Sequence, residues 1–456
     1  MLLIVFATIL LVPNDLICSA TDPLARQYGK LVFSSLLYRH GDRAITDQSY
    51  PNDPYLNKSY WPMGYGQLTN QGKERHYEFG QWIRNRYSDF LPVEYSNNDI
   101  YIRSTSVDRA LMSAASNLAG LYPPNKVQQW NNNVGNLWQP IPIHSIPRDI
   151  DTSLSFGNNC PRFVEEFNSL KDLPYIQKFN ENHQELYNYI REHTGLNLTN
   201  EIVDTSTLYD ILLVETQFNY TLPNWTSTIF PQKLKEVAEF SFLMPTSTPL
   251  LKKLSCGVLL NEIVENMNGK RNGTLNPNVK LWVYSAHDTN VAGLLNSLNI
   301  YDKKLPPYTA AVFLELRKIE NPNDTYVVTV SYRNSSTHDP YLLHVPGCDS
   351  VACDLDQFIS VVKPLLVTNW YEECQKDPEN NFFIYISIIS VLVAVSIIFF
   401  IFNKKYFICY CGRDYQKLYH AVPREETETV DFDQDGRSRV AVSFRMNGVE
   451  STSADV

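Results

Sequence analysis

The sequence predicts an α/β fold: an open, mostly parallel sheet flanked by helices, with a mainly helical inserted subdomain and a single C-terminal transmembrane helix. Three segments carry this prediction because they share one layout. Lys30–Tyr38 is a mostly apolar run that ends in Arg39-His40-Gly41-Asp42-Arg43. Asp99–Ile102 ends in Arg103-Ser104-Thr105, and residues 107–121 beyond it are apolar at helical spacing. Lys280–Tyr284 ends in Ser285-Ala286-His287-Asp288-Thr289, again followed by a helical pattern over 291–298. Short apolar runs rich in β-branched and aromatic residues, each leading into a helix, are the pattern of buried parallel strands. Their polar ends then fall at strand C-termini, where open α/β sheets bind ligands.

The remaining elements follow in chain order. Leu2–Val12 is apolar but too short to span a bilayer. It leads to Cys18-Ser19-Ala20, which has small residues where a signal peptide is cut, so 1–20 is read as a signal peptide. The α/β core is expected over about 21–123 and 250–381. Residues 124–249 change texture, with a Pro-rich stretch at 138–147 and helical patterns at 164–170 and 186–192, and are read as the helical insertion. A further strand pair is expected at 311–316 and 326–332. Residues 382–402 contain no charge; at 1.5 Å per residue they reach about 30 Å, the thickness of the hydrocarbon core. Lys404, Lys405 and Arg413 follow this stretch and Asp377 and Glu379 precede it, so the tail 403–456 is read as cytosolic and 21–381 as luminal or extracellular.

Seven sequons lie in the outside portion, at Asn57, Asn197, Asn219, Asn224, Asn272, Asn323 and Asn334. Five cysteines also lie there: Cys160, Cys256, Cys348, Cys353 and Cys374. In an oxidising lumen they allow two bridges and one spare thiol, and Cys348 and Cys353 are close enough for a local bridge. In the tail, Tyr415 to Leu418 and Tyr419 to Val422 each fit Tyr-x-x-bulky apolar, the form that clathrin adaptors read. Residues 424–456 are charged, poor in apolar residues and expected to lack regular structure.

Composition excludes some functions. The formal net charge is −10, a poor footprint for nucleic acid. The strand ends, by contrast, gather Arg39, Arg43 and Arg103 with His40, Asp42, His287 and Asp288. Arginines collected in one place repel unless an anion sits among them, and a guanidinium matches phosphate oxygens bidentately. His40, Asp42, His287 and Asp288 are also metal-ligand types, but Arg39 and Arg43 in the same loop disfavour a divalent cation. No metal or other cofactor is expected. Positive neighbours should hold His40 below its ordinary pKa, leaving it a neutral nucleophile at acid pH. Asp288 is then the candidate acid for the departing alkoxide.

These residues resemble the histidine acid phosphatase family. The resemblance rests on Arg39-His40-Gly41-Asp42-Arg43 with Ser285-Ala286-His287-Asp288-Thr289, and extends to Tyr101–Ala114, Leu137–His144, Leu305–Tyr308, Tyr332–Asn334 and Leu343–Cys348. The last stretches are similar to the lysosomal and prostatic branch. The resemblance implies His40 as the phosphorylated residue and Asp288 as proton donor, with Arg39, Arg43, Arg103 and His287 clamping the phosphoryl oxygens. It also implies Cys160–Cys374 and Cys348–Cys353 bridges, phosphomonoester substrates and a homodimer. An inositol-polyphosphate phosphatase and a catalytically weakened receptor or adhesion glycoprotein are the alternatives. One departure is Ile45, which stands where the family usually has a proline that stiffens the loop. A second is the loss of a third disulfide, with Val214 and Ala311 at its positions.

Overall fold

The computed structural model describes residues 22–411 except 23, 47–48, 156, 158–159, 321, 323, 336 and 376–377, together with 430–432 and 438–440. The predicted signal peptide, the sequon at Asn323 and the tail motifs at Tyr415, Leu418, Tyr419 and Val422 lie outside the described residues. The chain divides into two units, 1–376 and 377–456.

In the first unit a sheet of eight strands forms from β1 (Lys30–Arg39), β2 (Ile100–Thr105), β3 (His144–Ile146), β4 (Leu281–Ala286), β5 (Ala311–Ile319), β6 (Thr325–Arg333), β7 (Tyr341–Leu343) and β8 (Ala352–Asp354). The order is β3-β2-β4-β1-β5-β6-β7, with β8 also on β6. The expectation of a mostly parallel sheet needs correction. Strands β3, β2, β4 and β1 are parallel, whereas β5 to β8 all pair antiparallel. The reason is connection length: β5 and β6 are separated by residues 320–324 alone, and a parallel pair needs a crossover of about a dozen residues.

Helices cover both faces. In chain order they are α1 (Ala25–Tyr28), α2 (Asn70–Arg86), α3 (Asp108–Leu121), α4 (Pro161–Ser169), α5 (Pro174–Thr194), α6 (Glu201–Gln217), α7 (Gln232–Ser241), α8 (Pro249–Asn272), α9 (Asp288–Ser297), α10 (Leu355–Val362) and α11 (Trp370–Glu373). One face buries Leu36, Tyr38, Ile102 and Val283 against Phe79, Ile83 and Leu118 of α2 and α3. The other buries Phe33, Leu37, Tyr284 and Val312 against α8 and α9 through Leu260, Ile263, Leu294 and Leu295. Period-two alternation along the strands and 3.6-residue spacing along the helices produce this division. The region read as an insertion supplies α4 to α7 and also β3, so it adds a strand to the sheet edge as well as helices. Its own core joins Tyr187, Leu212 and Leu234 to Tyr50 and Trp61 of the loop after β1.

Both bridges are present, Cys160–Cys374 and Cys348–Cys353. Cys256 is free and buried, and burial pushes its thiol up to about 12, which leaves it protonated and unreactive. The side chains of Asn57, Asn197, Asn219, Asn224, Asn272 and Asn334 are exposed.

One buried contact couples the fold to pH. Glu215 of α6 is fully buried, and its carboxyl meets that of Asp53, with no other donor reaching it among the described residues. Burial, then the Asp53 charge, pushes it up to about 8. Asp53 is itself held by Ser49 and by the Tyr55 amide, with Tyr50 buried alongside. A carboxyl raised on folding stabilises fully below its unfolded pKa of about 4.3, and that stability is lost as pH climbs toward 8. Glu215→Gln is expected to flatten the fall in Tm between pH 5 and 8. Equal slopes for variant and parent in thermal melts would contradict this.

The second unit holds a helix, α12 (Pro378–Cys411), whose side chains are described for 385–401 only. Among the residues described with their side chains no helix is long and apolar enough to cross a membrane, and the predicted span, 382–402, runs past the stretch 385–401 at both ends. Two short strands, β9 (Val430–Phe432) and β10 (Ser438–Val440), pair antiparallel with Arg439 opposite Asp431. The tail was expected to lack regular structure. Apolar residues at alternate positions 430 and 432 and opposite charges in register favour this pairing.

Candidate active site

Because β2, β4 and β1 are parallel, their C-termini emerge at one edge, with Arg39 beside Ala286 and Ser104 beside Ser285. The Arg39–Arg43 loop leaves β1 there and is pinned from two sides. The Thr69 amide donates to Asp42 O (2.9 Å), Ala44 to Gln67 O (3.0 Å) and Gly66 to Ile45 O (2.6 Å). Gly41 lies so close to Gly72 at the start of α2 that a Cβ would sit 2.5 Å from Gly72 O, which only glycine tolerates. Ile45 is buried. Stiffness that a proline would supply comes here from this backbone ladder.

His40 is buried, and its ring is fixed at both nitrogens. Nδ1 lies 2.8 Å from Gly41 O and must donate to it, so Nε2 carries the lone pair. The Nε of Arg109 donates to that Nε2 at 3.0 Å. Burial holds His40 well below the ordinary imidazole range, and Arg109, Arg39, His287 and Arg43 push it further down. The His287 ring meets it edge-on at 5.4 Å between centroids and lies 3.1 Å from Thr105 Oγ1. Burial, then Arg109, brings His287 down to about 3. His76 of α2, also depressed to about 3 by burial, donates to Arg39 O and is structural.

Asp288, the first residue of α9, pairs with Arg39 at 2.8 Å. Burial pushes this carboxyl up, but Arg39 and Arg43 outweigh it and hold Asp288 below its ordinary value. Arg39 also donates to Pro306 O (2.6 Å) and stacks on Tyr308. Arg43 donates through Nη2 to both carboxylate oxygens of Asp210 of α6 (2.8 and 2.9 Å). Asp42 pairs with Arg75 (2.9 Å), which disposes of it as a free acid or ligand. Among the described residues no three His, Cys, Asp or Glu side chains converge to hold a metal.

Two cavities open here and share Arg43 and Asp288. One, of about 320 Å³, is lined by His40, Arg109, His287 and Thr289; the other, of about 480 Å³, runs past Arg39 toward α6 and α7.

Arg103 was expected in the phosphate clamp, and the structure places it elsewhere. Its guanidinium pairs with Asp151 (2.5 Å) and with Glu262 of α8 (3.1 Å), and it lines neither cavity. β2 runs two residues beyond Arg103, so that side chain leaves over the α8 face instead of the strand end. Arg109, in the first turn of α3, reaches the site in its stead, and it has no carboxylate partner among the described residues. Sequence reasoning passed over it, although an arginine at a helix N-terminus directly after a strand end was a usable signal. The two arginines should therefore fail differently. Arg109→Ala is expected to cost about 10²–10³ in kcat/KM with little change in Tm. Arg103→Ala strands the buried Asp151 carboxylate, with the half-buried Glu262 beside it, and should cost about 3–5 kcal/mol of stability. Melting curves and initial rates on the two variants check this, and the opposite pattern would return Arg103 to the site.

The sequence matches the Histidine phosphatase superfamily (branch 2) over residues 30–333. The chain belongs to that superfamily. It is 41% identical to the prostatic acid phosphatase of Homo sapiens over 350 residues, covering 76% of this chain and 88% of that protein. It is 39% identical to the lysosomal acid phosphatase of Rattus norvegicus, covering 76% and 81%. Among solved structures, a Hafnia alvei phytase in complex with myo-inositol hexakis sulphate superposes with a TM-score of 0.56 at 18% identity. That match covers 76% of this chain and 98% of that one, and at this identity it speaks for the fold alone.

Proposed function

We propose that this histidine phosphatase is an acid phosphatase that hydrolyses phosphate monoesters through a phosphohistidine on His40. The observation that carries the reading is the His40 Nε2 lone pair, oriented by Gly41 O and aimed at the Arg109 guanidinium, which has no carboxylate partner among the described residues. A phosphoryl group held by Arg109, Arg43, Arg39 and His287 would draw the Arg109 N–H onto its own oxygens and meet the freed lone pair. Nε2 attacks phosphorus, an N–P bond forms, and the P–O bond to the alcohol breaks. Asp288 supplies the proton that the alkoxide takes away. In the second step the Asp288 carboxylate accepts a proton from water, the hydroxide attacks phosphorus, and His40 leaves as neutral imidazole. The free site holds Asp288 ionised; a bound dianion cancels the arginine charge and raises its pKa toward the working pH. Acid favours the protonated form, so turnover should rise as pH falls.

We further propose a type I membrane protein, with domain limits as drawn from the sequence, on the lysosomal membrane or the cell surface. The uncharged stretch 382–402, the exposed sequons and the likeness to lysosomal acid phosphatases support this setting. Glycans at the sequons, a homodimer and adaptor binding through the tail belong to the same proposal.

The test uses the full chain in detergent, assayed on p-nitrophenyl phosphate at pH 5. Activity that survives EDTA and is blocked by vanadate is the expected result. Activity abolished by EDTA would overturn the phosphohistidine route, and none at any pH would favour the receptor or adhesion reading.

A further inference from the structure

Resting on that reading, we propose that Asp210 sets the charge selectivity for the leaving group, so that the site prefers esters carrying no second anionic group. The phosphoryl group belongs with His40 and Arg109 in the smaller cavity. The ester oxygen must then point to Asp288, and beyond Asp288 lies the larger cavity of about 480 Å³. The leaving group has to occupy that space.

Each arginine on its wall is already matched by a carboxylate. Arg39 holds Asp288 (2.8 Å), Arg43 holds Asp210 (2.8 Å) and Arg75 holds Asp42 (2.9 Å), while Lys235, at the outer rim, lies 3.8 Å from Glu239, which Lys304 also reaches at 3.5 Å. Arg109, facing the phosphoryl position, has no such partner among the described residues. Asp210 is also the accessible one of these wall carboxylates, with its side chain 30% exposed, against 19% for Asp288 and 7% for Asp42. The rest of the wall includes Leu213, Phe242, Leu305 and Pro307, which offer contact area without charge. A second phosphate would therefore enter a space whose arginines are all paired and meet the Asp210 carboxylate beside them. An uncharged sugar, glycerol or aromatic group would meet neither difficulty.

The test compares kcat/KM for glucose 6-phosphate with that for glucose 1,6-bisphosphate at pH 5 and low salt. The parent chain is expected to favour the monophosphate by about tenfold or more. Asp210→Asn keeps shape and an acceptor for Arg43, frees a positive charge, and should shrink that ratio by about tenfold. A merely structural role would lower both substrates together and leave the ratio in place. Gln217→Arg adds an unpaired cation to the same wall and should shrink the ratio too, which keeps the test informative if the Asp210 variant folds poorly. A parent chain without preference, or ratios that both variants leave unchanged, would overturn the inference. Absence of turnover on either sugar phosphate and on p-nitrophenyl phosphate would instead sink the phosphatase reading beneath it.

Discussion

His40→Ala is expected to lower turnover of every phosphate monoester by about 10⁴-fold or more. Alanine leaves Arg109, Arg43, Arg39 and His287 able to bind phosphate but removes the atom that attacks phosphorus. The preparation needed for that attack is already present. Nδ1 is committed to Gly41 O, and burial with four positive or polarised neighbours keeps the ring uncharged. A nitrogen protonated near pH 6.5 would be inert in an acidic lumen, whereas this one keeps its lone pair well below that pH. The check has two parts. Initial rates give the loss, and an alkaline quench with labelled substrate traps the N–P bond on residue 40 in the parent. Label on a different residue, or a variant within tenfold of the parent, would end the argument for a phosphohistidine there.

Asp288→Asn should separate substrates by their leaving groups. For alkyl esters such as glycerol phosphate, kcat/KM is expected to fall about 10²–10⁴-fold, because an alkoxide leaves badly without a proton and asparagine has none to give. For p-nitrophenyl phosphate the fall should stay under about tenfold, since p-nitrophenolate departs unaided. The quantity to compare is kcat/KM, which ends at the first irreversible step, here P–O cleavage. Slower attack by water on the phosphohistidine should then appear as a burst of p-nitrophenol ahead of a reduced steady state. Equal losses on both esters would remove Asp288 from the donor role. The pH dependence carries its own sign: the proton on Asp288 is lost as pH rises, so alkyl esters should lose rate on the alkaline side before aryl esters do.

Stability has opposing pH terms. His287 and His76 are neutral when folded and protonated when unfolded below about 6.5, so they cost stability as pH falls from there toward 3, and His40, held well below the ordinary imidazole range, adds to that cost. Glu215 acts in the other direction, stabilising in acid and losing that contribution on the way to pH 8.

Much of this was legible from the chain alone. The ends of β1 and β4, with Arg39, His40, Arg43, His287 and Asp288 on them, follow from local patterning, because strand period and helix spacing are properties of neighbouring residues. The short Cys348–Cys353 bridge follows from proximity along the chain. Three features did not follow. Arg103 and Arg109 lie six positions apart in one stretch, and nothing local tells which guanidinium reaches His40. That depends on where β2 stops and which carboxylates α8 and the 144–155 segment bring to Arg103. The antiparallel half of the sheet depends on the reach of the 320–324 connection and on β5 choosing β1 as its neighbour. The Arg43–Asp210 pair joins residues 167 positions apart, and the Glu215–Asp53 contact is as remote. Sequence by itself settles what each segment can form and which chemistry it carries. Charge pairing between distant segments is settled only once the sheet and α6 are packed, since electrostatic partners are chosen by distance in space and by the loss of water around them.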